Sequence, residues 1–154
     1  MKEMKTLTHN GVLFQESFES KGFNVIDGEP ISLLAEEMLW YWYKLVTGWT
    51  DNHMIVMDFS GESFNWADVE KALDKVWIST SKSIIPDDPN PPFRPSWLRI
   101  GMQAMTTRGV KEDDTRHIAR FIHEAIQNRD DENKLEIIRA QVVECCEHFP
   151  IPSL

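Results

Sequence analysis

The residues best placed to do chemistry lie between Ile84 and Gly109, in the stretch IIPDDPNPPFRPSWLRIGMQAMTTRG. Prolines at 86, 89, 91, 92 and 95 leave the backbone from Ile85 to Pro95 little torsional freedom and few N–H donors. Leu98-Arg99-Ile100 then alternates apolar, basic, apolar, which predicts a short strand with Arg99 on one face. A guanidinium aimed from a stiff lead-in, with Gly101 behind it, can grip a carboxylate through parallel hydrogen bonds. Each such charge-assisted bond is worth roughly 1.5–3 kcal/mol. The same arginine can equally serve as a surface ion-pair partner.

The histidines and cysteines offer less. His117 and His123 stand six apart on one predicted helix, about 240° round, and cannot share a metal there. His53 lies two residues from Asp51, where same-face neighbours on an extended segment can pair, for structure or as a base. His9 and His148 lie near the ends and read as solvated. Cys145 and Cys146 are adjacent in a helical pattern and read as reduced thiols that pack the helix. No CxxC pair, GxSxG elbow or phosphate-cradling glycine loop is present in the sequence.

The elements that must position Arg99 alternate between strand and helix. Gly11–Phe14 and Phe23–Ile26 are strand candidates, with Asp27-Gly28 a turn, giving a small β unit over residues 1–31. Ser32 can cap a helix to about Tyr43. Its run Leu39-Trp40-Tyr41-Trp42-Tyr43 suits either a buried helix or an exposed aromatic anchor for a partner. Lys44 to Thr47 reads as a short strand and His53 to Phe59 as a buried one, in which Met54, Val56 and Asp58 alternate against Ile55, Met57 and Phe59. Asn65 can cap a helix over Trp66–Val76, and Ile78–Thr80 reads as a strand. Two helices follow Gly109, about Lys111 to Gln127 and Glu132 to His148, parted by Asn128–Asp131. The predicted fold class is α/β, an α+β two-layer sandwich, over residues 32–154.

With 154 residues, 42% of them apolar, the chain can bury one core of ordinary size. A net charge of −9 argues against nucleic acid or an anionic membrane as a partner. The start lacks the apolar segment of a signal peptide, and no apolar run is long enough to span a bilayer. A cytoplasmic protein is expected.

Four separated motifs carry a family resemblance: Thr47-Gly48-Trp49-Thr50-Asp51-Asn52-His53, Ile84-Ile85-Pro86, Pro95 to Gly101, and Thr106-Thr107-Arg108-Gly109. In that order they resemble the carboxy-terminal, small domain of serine hydroxymethyltransferase, over about residues 34–154. The resemblance implies a domain of a fold-type-I pyridoxal-phosphate transferase that interconverts serine and glycine with tetrahydrofolate, in one-carbon metabolism. It implies that Arg99 binds the amino-acid α-carboxylate. Ser83 falls where the family has an asparagine that contacts folate. Serine keeps a hydroxyl but loses the amide's paired donor and acceptor. Met102-Gln103 replaces a second family motif, Thr-Pro. The family's Schiff-base lysine and phosphate cradle belong to a large domain not found in this sequence. Pyridoxal phosphate is therefore expected only in the full enzyme, with the large domain from a partner chain or a homodimer. Alone, the chain is expected to bind no cofactor and to be inactive.

Residues 6–40 resemble the start of the DNA-binding core of type IB DNA topoisomerase, through His9 to Phe14, Lys21-Gly22, Asp27 to Pro30 and Glu36-Glu37. That likeness implies a DNA-binding fragment or a chimeric chain. A non-catalytic interaction protein is the other alternative. Trp42, Trp49, Trp66, Trp77 and Trp97 fall where the hydroxymethyltransferase pattern has glycine. Either design or a codon that the source cell reads as glycine would account for this. Where such glycines hold φ > 0, a bulky residue costs on the order of 1–2 kcal/mol.

Overall fold

The computed structural model describes residues 8–9, 12–13, 30–60, 62–64, 66–83 and 97–151. Strands β1 (Thr8–His9) and β2 (Val12–Leu13) pair antiparallel, Thr8 opposite Leu13. The sequence between them, Asn10-Gly11, is the dipeptide that two-residue hairpins favour. The predicted strand at 23–26, the turn at 27–28, the Asn65 cap and the proline arm at 84–96 lie outside the described residues.

Helix α1 spans Pro30–Trp40. It starts before Ser32, because Pro30 has its φ already set for a helix and lacks only an N–H that the first turn leaves unbonded. Ser32 is buried inside the first turn and is not the cap. The helix also stops short of Tyr43. The Tyr43 N–H donates to the Met38 carbonyl and the Trp42 N–H to that of Leu39, each at 3.0 Å. This is a Schellman end, with Trp42 in the left-handed region at φ 72°.

Strands β3 (Lys44–Leu45), β4 (Met54–Asp58), β5 (Ser81–Ser83) and β6 (Trp97–Gly101) form an antiparallel sheet in the order β3-β4-β6-β5. Leu45, Ile55, Met57, Leu98 and Ile100 are buried on one face. Of the two alternating sets in β4, the one holding Ile55 and Met57 turns inward. Helices α1 and α2 (Trp66–Lys75) lie against the sheet. The short helix α3 (Gln103–Thr107) follows β6. Helix α4 (Glu112–Gln127) packs on α1 and α2, and α5 (Glu132–Glu147) packs on α2 and α4.

The strand expected at Ile78–Thr80 forms three residues later. Ile78 closes the end of α2, its N–H donating to Leu73 at 2.9 Å while the Trp77 N–H donates to Asp74 at 3.0 Å. Those residues are committed to the helix end, so the sheet resumes at Ser81. Helix α3 went unforeseen, since its five residues show no apolar period. Both last helices keep their predicted extents to within a residue. Asp131 caps α5 by accepting from the Lys134 N–H at 3.1 Å.

Candidate functional site

Strand alternation decides where Arg99 goes. Its neighbours Leu98 and Ile100 are 0% and 4% exposed beneath the sheet, so Arg99 stands on the opposite face and is exposed. It sits level with Val56 of β4 and Ser81 of β5. Its Nε–H donates to the Ser81 hydroxyl at 3.0 Å. Among the described residues the guanidinium makes no ion pair. The Ser81 bond fixes one edge of the fork and leaves the two terminal nitrogens for a planar anion.

One step along the same face, Asp58 ties three elements together. Lys44 of β3 pairs with its Oδ2. The Ser60 N–H donates to Oδ1 at 2.8 Å, and the Trp97 indole N–H to the same oxygen at 2.9 Å. Burial opposes the charge, but the hydrogen bonds from Lys44 and Ser60 outweigh it and hold the carboxyl below its usual range. Trp97 is level with Ser83, so the Asp58 bonds hold the register in which Arg99 faces Ser81. Ser83 belongs to β5 by its backbone, and its side chain lies outside the described residues.

The other candidates are scattered. His53 and Asp51 are both exposed, and no hydrogen bond joins them among the described residues. The Thr50 to Met54 turn is built by Thr50 and Asn52 instead. The Thr50 hydroxyl donates to the Met54 carbonyl at 2.5 Å, and the Met54 N–H to Asn52 Oδ1 at 3.0 Å. His117 is exposed, and His148 Nδ1 lies 3.0 Å from the Glu144 carbonyl. Cys145 and Cys146 are free thiols packed against the core, and burial raises the Cys145 pKa. No cluster of metal-ligating side chains occurs among the described residues.

Sequence reasoning missed two constellations. His123 stacks on Tyr41, ring centroids 4.0 Å apart, and its Nδ1 lies 3.1 Å from the Tyr43 hydroxyl. Burial lowers the His123 pKa and pushes that of Tyr43 up to about 12, so the bond joins a neutral phenol to a neutral imidazole. Arg108 reaches across to the end of α5, donating to the carbonyls of Cys146, at 3.2 Å, and Phe149. The signal for Arg108 was its place beside Gly109. For the imidazole there was none, since Tyr43 and His123 are eighty residues apart. The aromatic run divides: Tyr43 is buried, while Trp40 and Trp42 are 54% and 73% exposed.

An antiparallel sheet with helices over one face is consistent with the small domain of a fold-type-I enzyme. A comparison with protein-family models matches residues 5–122 to Serine hydroxymethyltransferase, and the chain belongs to that family. The match starts well before residue 34 and runs across the segment that resembles topoisomerase. Nothing found supports that second likeness or a chimera. Lys44, Lys75 and Lys134 are paired with the carboxylates of Asp58, Glu132 and Asp131.

Proposed function

We propose that this chain is the small-domain part of a serine/glycine hydroxymethyltransferase and that Arg99 binds the α-carboxylate of the amino acid. The observation that supports the reading is the geometry at Arg99: exposed, steadied through Nε by Ser81, and without an acidic partner among the described residues. Pyridoxal phosphate, bound by a separate large domain, supplies the electron sink for Cα chemistry. This chain contributes the anion grip, which fixes the substrate's orientation. Tetrahydrofolate is the one-carbon carrier, with Ser83 a weaker contact than an amide. The unit that carries Arg99 is taken as residues 32–154, with 1–31 an extension, in a cytoplasmic protein. No helix among the described residues is long and apolar enough to cross a membrane.

The test supplies a family large domain in trans and compares serine with ethanolamine, which lacks the carboxylate. The combined enzyme is expected to prefer serine strongly. Arg99→Ala should erase that preference, and Arg99→Lys should restore part of it. An Arg99→Ala enzyme that still discriminates would remove the carboxylate role. Turnover by the chain alone would remove the division of labour.

A second reading, a surface for a protein partner, draws on the exposure of Trp40 and Trp42. Sedimentation with a Trp40→Ser, Trp42→Ser pair tests it, and unchanged association would end it. The DNA-binding reading has the charge of −9 against it.

A further inference from the structure

Three helices in this fold end in the same way. At α1, α2 and α3 the chain closes with a pair of backbone bonds, one spanning six residues and one spanning four. They are Tyr43 to Met38 with Trp42 to Leu39, Ile78 to Leu73 with Trp77 to Asp74, and Val110 to Met105 with Gly109 to Thr106. That arrangement requires the residue after the cap to turn left-handed, which is why glycine ordinarily fills it. Gly109 does so at φ 95°. A Cβ placed there would meet nothing within 4 Å, so the backbone angle alone selects glycine at that end.

At the other two ends the same place holds tryptophan, Trp42 at φ 72° and Trp77 at φ 63°. Among the described residues these are the two non-glycine positions with positive φ. A bulky L-residue there is an outlier, and burial does not compensate for it. Trp42 is 73% exposed and Trp77 is 62% exposed. Composition points the same way. The chain has seven glycines against six tryptophans, whereas an average composition would give about eleven glycines at this length.

We propose that positions 42 and 77 are glycine in the protein as its own cell makes it. The codon rendered here as tryptophan is then one that the cell reads as glycine. The backbone makes no such demand at Trp49, Trp66 and Trp97, which are buried and have no positive φ.

The deciding experiment is peptide mass spectrometry on the protein isolated from its source cells, covering positions 42 and 77. Peptides with glycine mass at both positions are the expected result. Tryptophan mass at either position overturns the proposal. The same digest reads positions 49, 66 and 97. Glycine there too would make the reassignment general, and would mark those three indoles as absent from the native core.

Discussion

Replacing Trp42 by glycine in the chain as it stands is expected to stabilise it, by an amount that follows from the end of α1. An L-residue held left-handed costs about 1–2 kcal/mol, which glycine removes. Glycine gives back about 0.5–1 kcal/mol through the greater freedom of its unfolded chain. The net gain is about 0.5–1 kcal/mol, because the indole is mostly in solvent and little burial is lost. At Trp77 a neighbouring side chain enters the balance. The Arg139 guanidinium lies 4.4 Å from its ring centroid, an exposed cation–π contact of about 0.5–1 kcal/mol that glycine forfeits. Trp77→Gly should therefore come out near neutral, and Trp77→Ala should destabilise, since alanine loses the contact and keeps the strain. Glycine against alanine at the same position isolates the backbone term. Thermal unfolding followed by far-ultraviolet circular dichroism avoids the lost indole signal. At this chain length 1 kcal/mol is about 2–4 °C, so each glycine variant should melt about 1–4 °C above its alanine counterpart. Alanine variants as stable as the glycine ones at both positions would show that φ carries no penalty here, and the reasoning would fail.

The other perturbations separate structure from function. Asp58→Asn should cost about 2 kcal/mol, since it removes the charge that accepts from Lys44, Ser60 and Trp97. Asp58 titrates below its usual range in the fold, so its contribution is whole above about pH 4 and fades as pH falls through the lower folded value. The gap in melting temperature between wild type and Asp58→Asn should therefore close in acid, and a gap that widens would refute the assignment. His123 is held neutral by burial, so its contribution is present above about pH 6.5 and lost as pH falls through its depressed folded value. A proton NMR titration showing its midpoint at or above 6.5 would contradict this. Arg108→Leu should cost about 2 kcal/mol by freeing the Cys146 and Phe149 carbonyls, seen as faster hydrogen exchange at residues 144–149. Arg99→Ala should shift stability by less than about 0.5 kcal/mol, since the side chain is exposed. A larger loss would make Arg99 a structural residue.

What was legible in the sequence tracks how local each determinant is. The alternation of Ile55, Met57 and Phe59 with Met54, Val56 and Asp58 is read within a few residues, and the first set is the one that faces inward. The two C-terminal helices carry their own caps and charges and were placed to within a residue. The errors fall at helix ends, where the deciding bonds join a residue to a carbonyl five positions back and a tryptophan hides the usual glycine signal. A Schellman end after Trp40 or Lys75 is not suggested by an aromatic residue at 42 or 77. The Asp58 and His123 contacts join segments far apart in the chain, and their partners follow only from the register of β4 with β6 and the packing of α4 on α1.

Arg99 owes its exposure to register as much as to its own identity. Side chains on β6 alternate, so a slip of one residue against β4 would turn Arg99 into the core and bring Leu98 and Ile100 out. Burying an unpaired guanidinium costs several kcal/mol, which makes the slipped sheet strongly unfavourable. The charge therefore helps set which face of β6 turns out. Leu98 and Ile100 pull their face of β6 under the helices, and Arg99 keeps the other face out. The Ser81 hydroxyl then settles which way the fork points. The residue proposed to read the substrate is thus also one that forbids the wrong sheet. A neutral polar side chain at 99 would keep the fold with a weaker guard on register, whereas leucine would make the two faces of β6 alike and invite the slip.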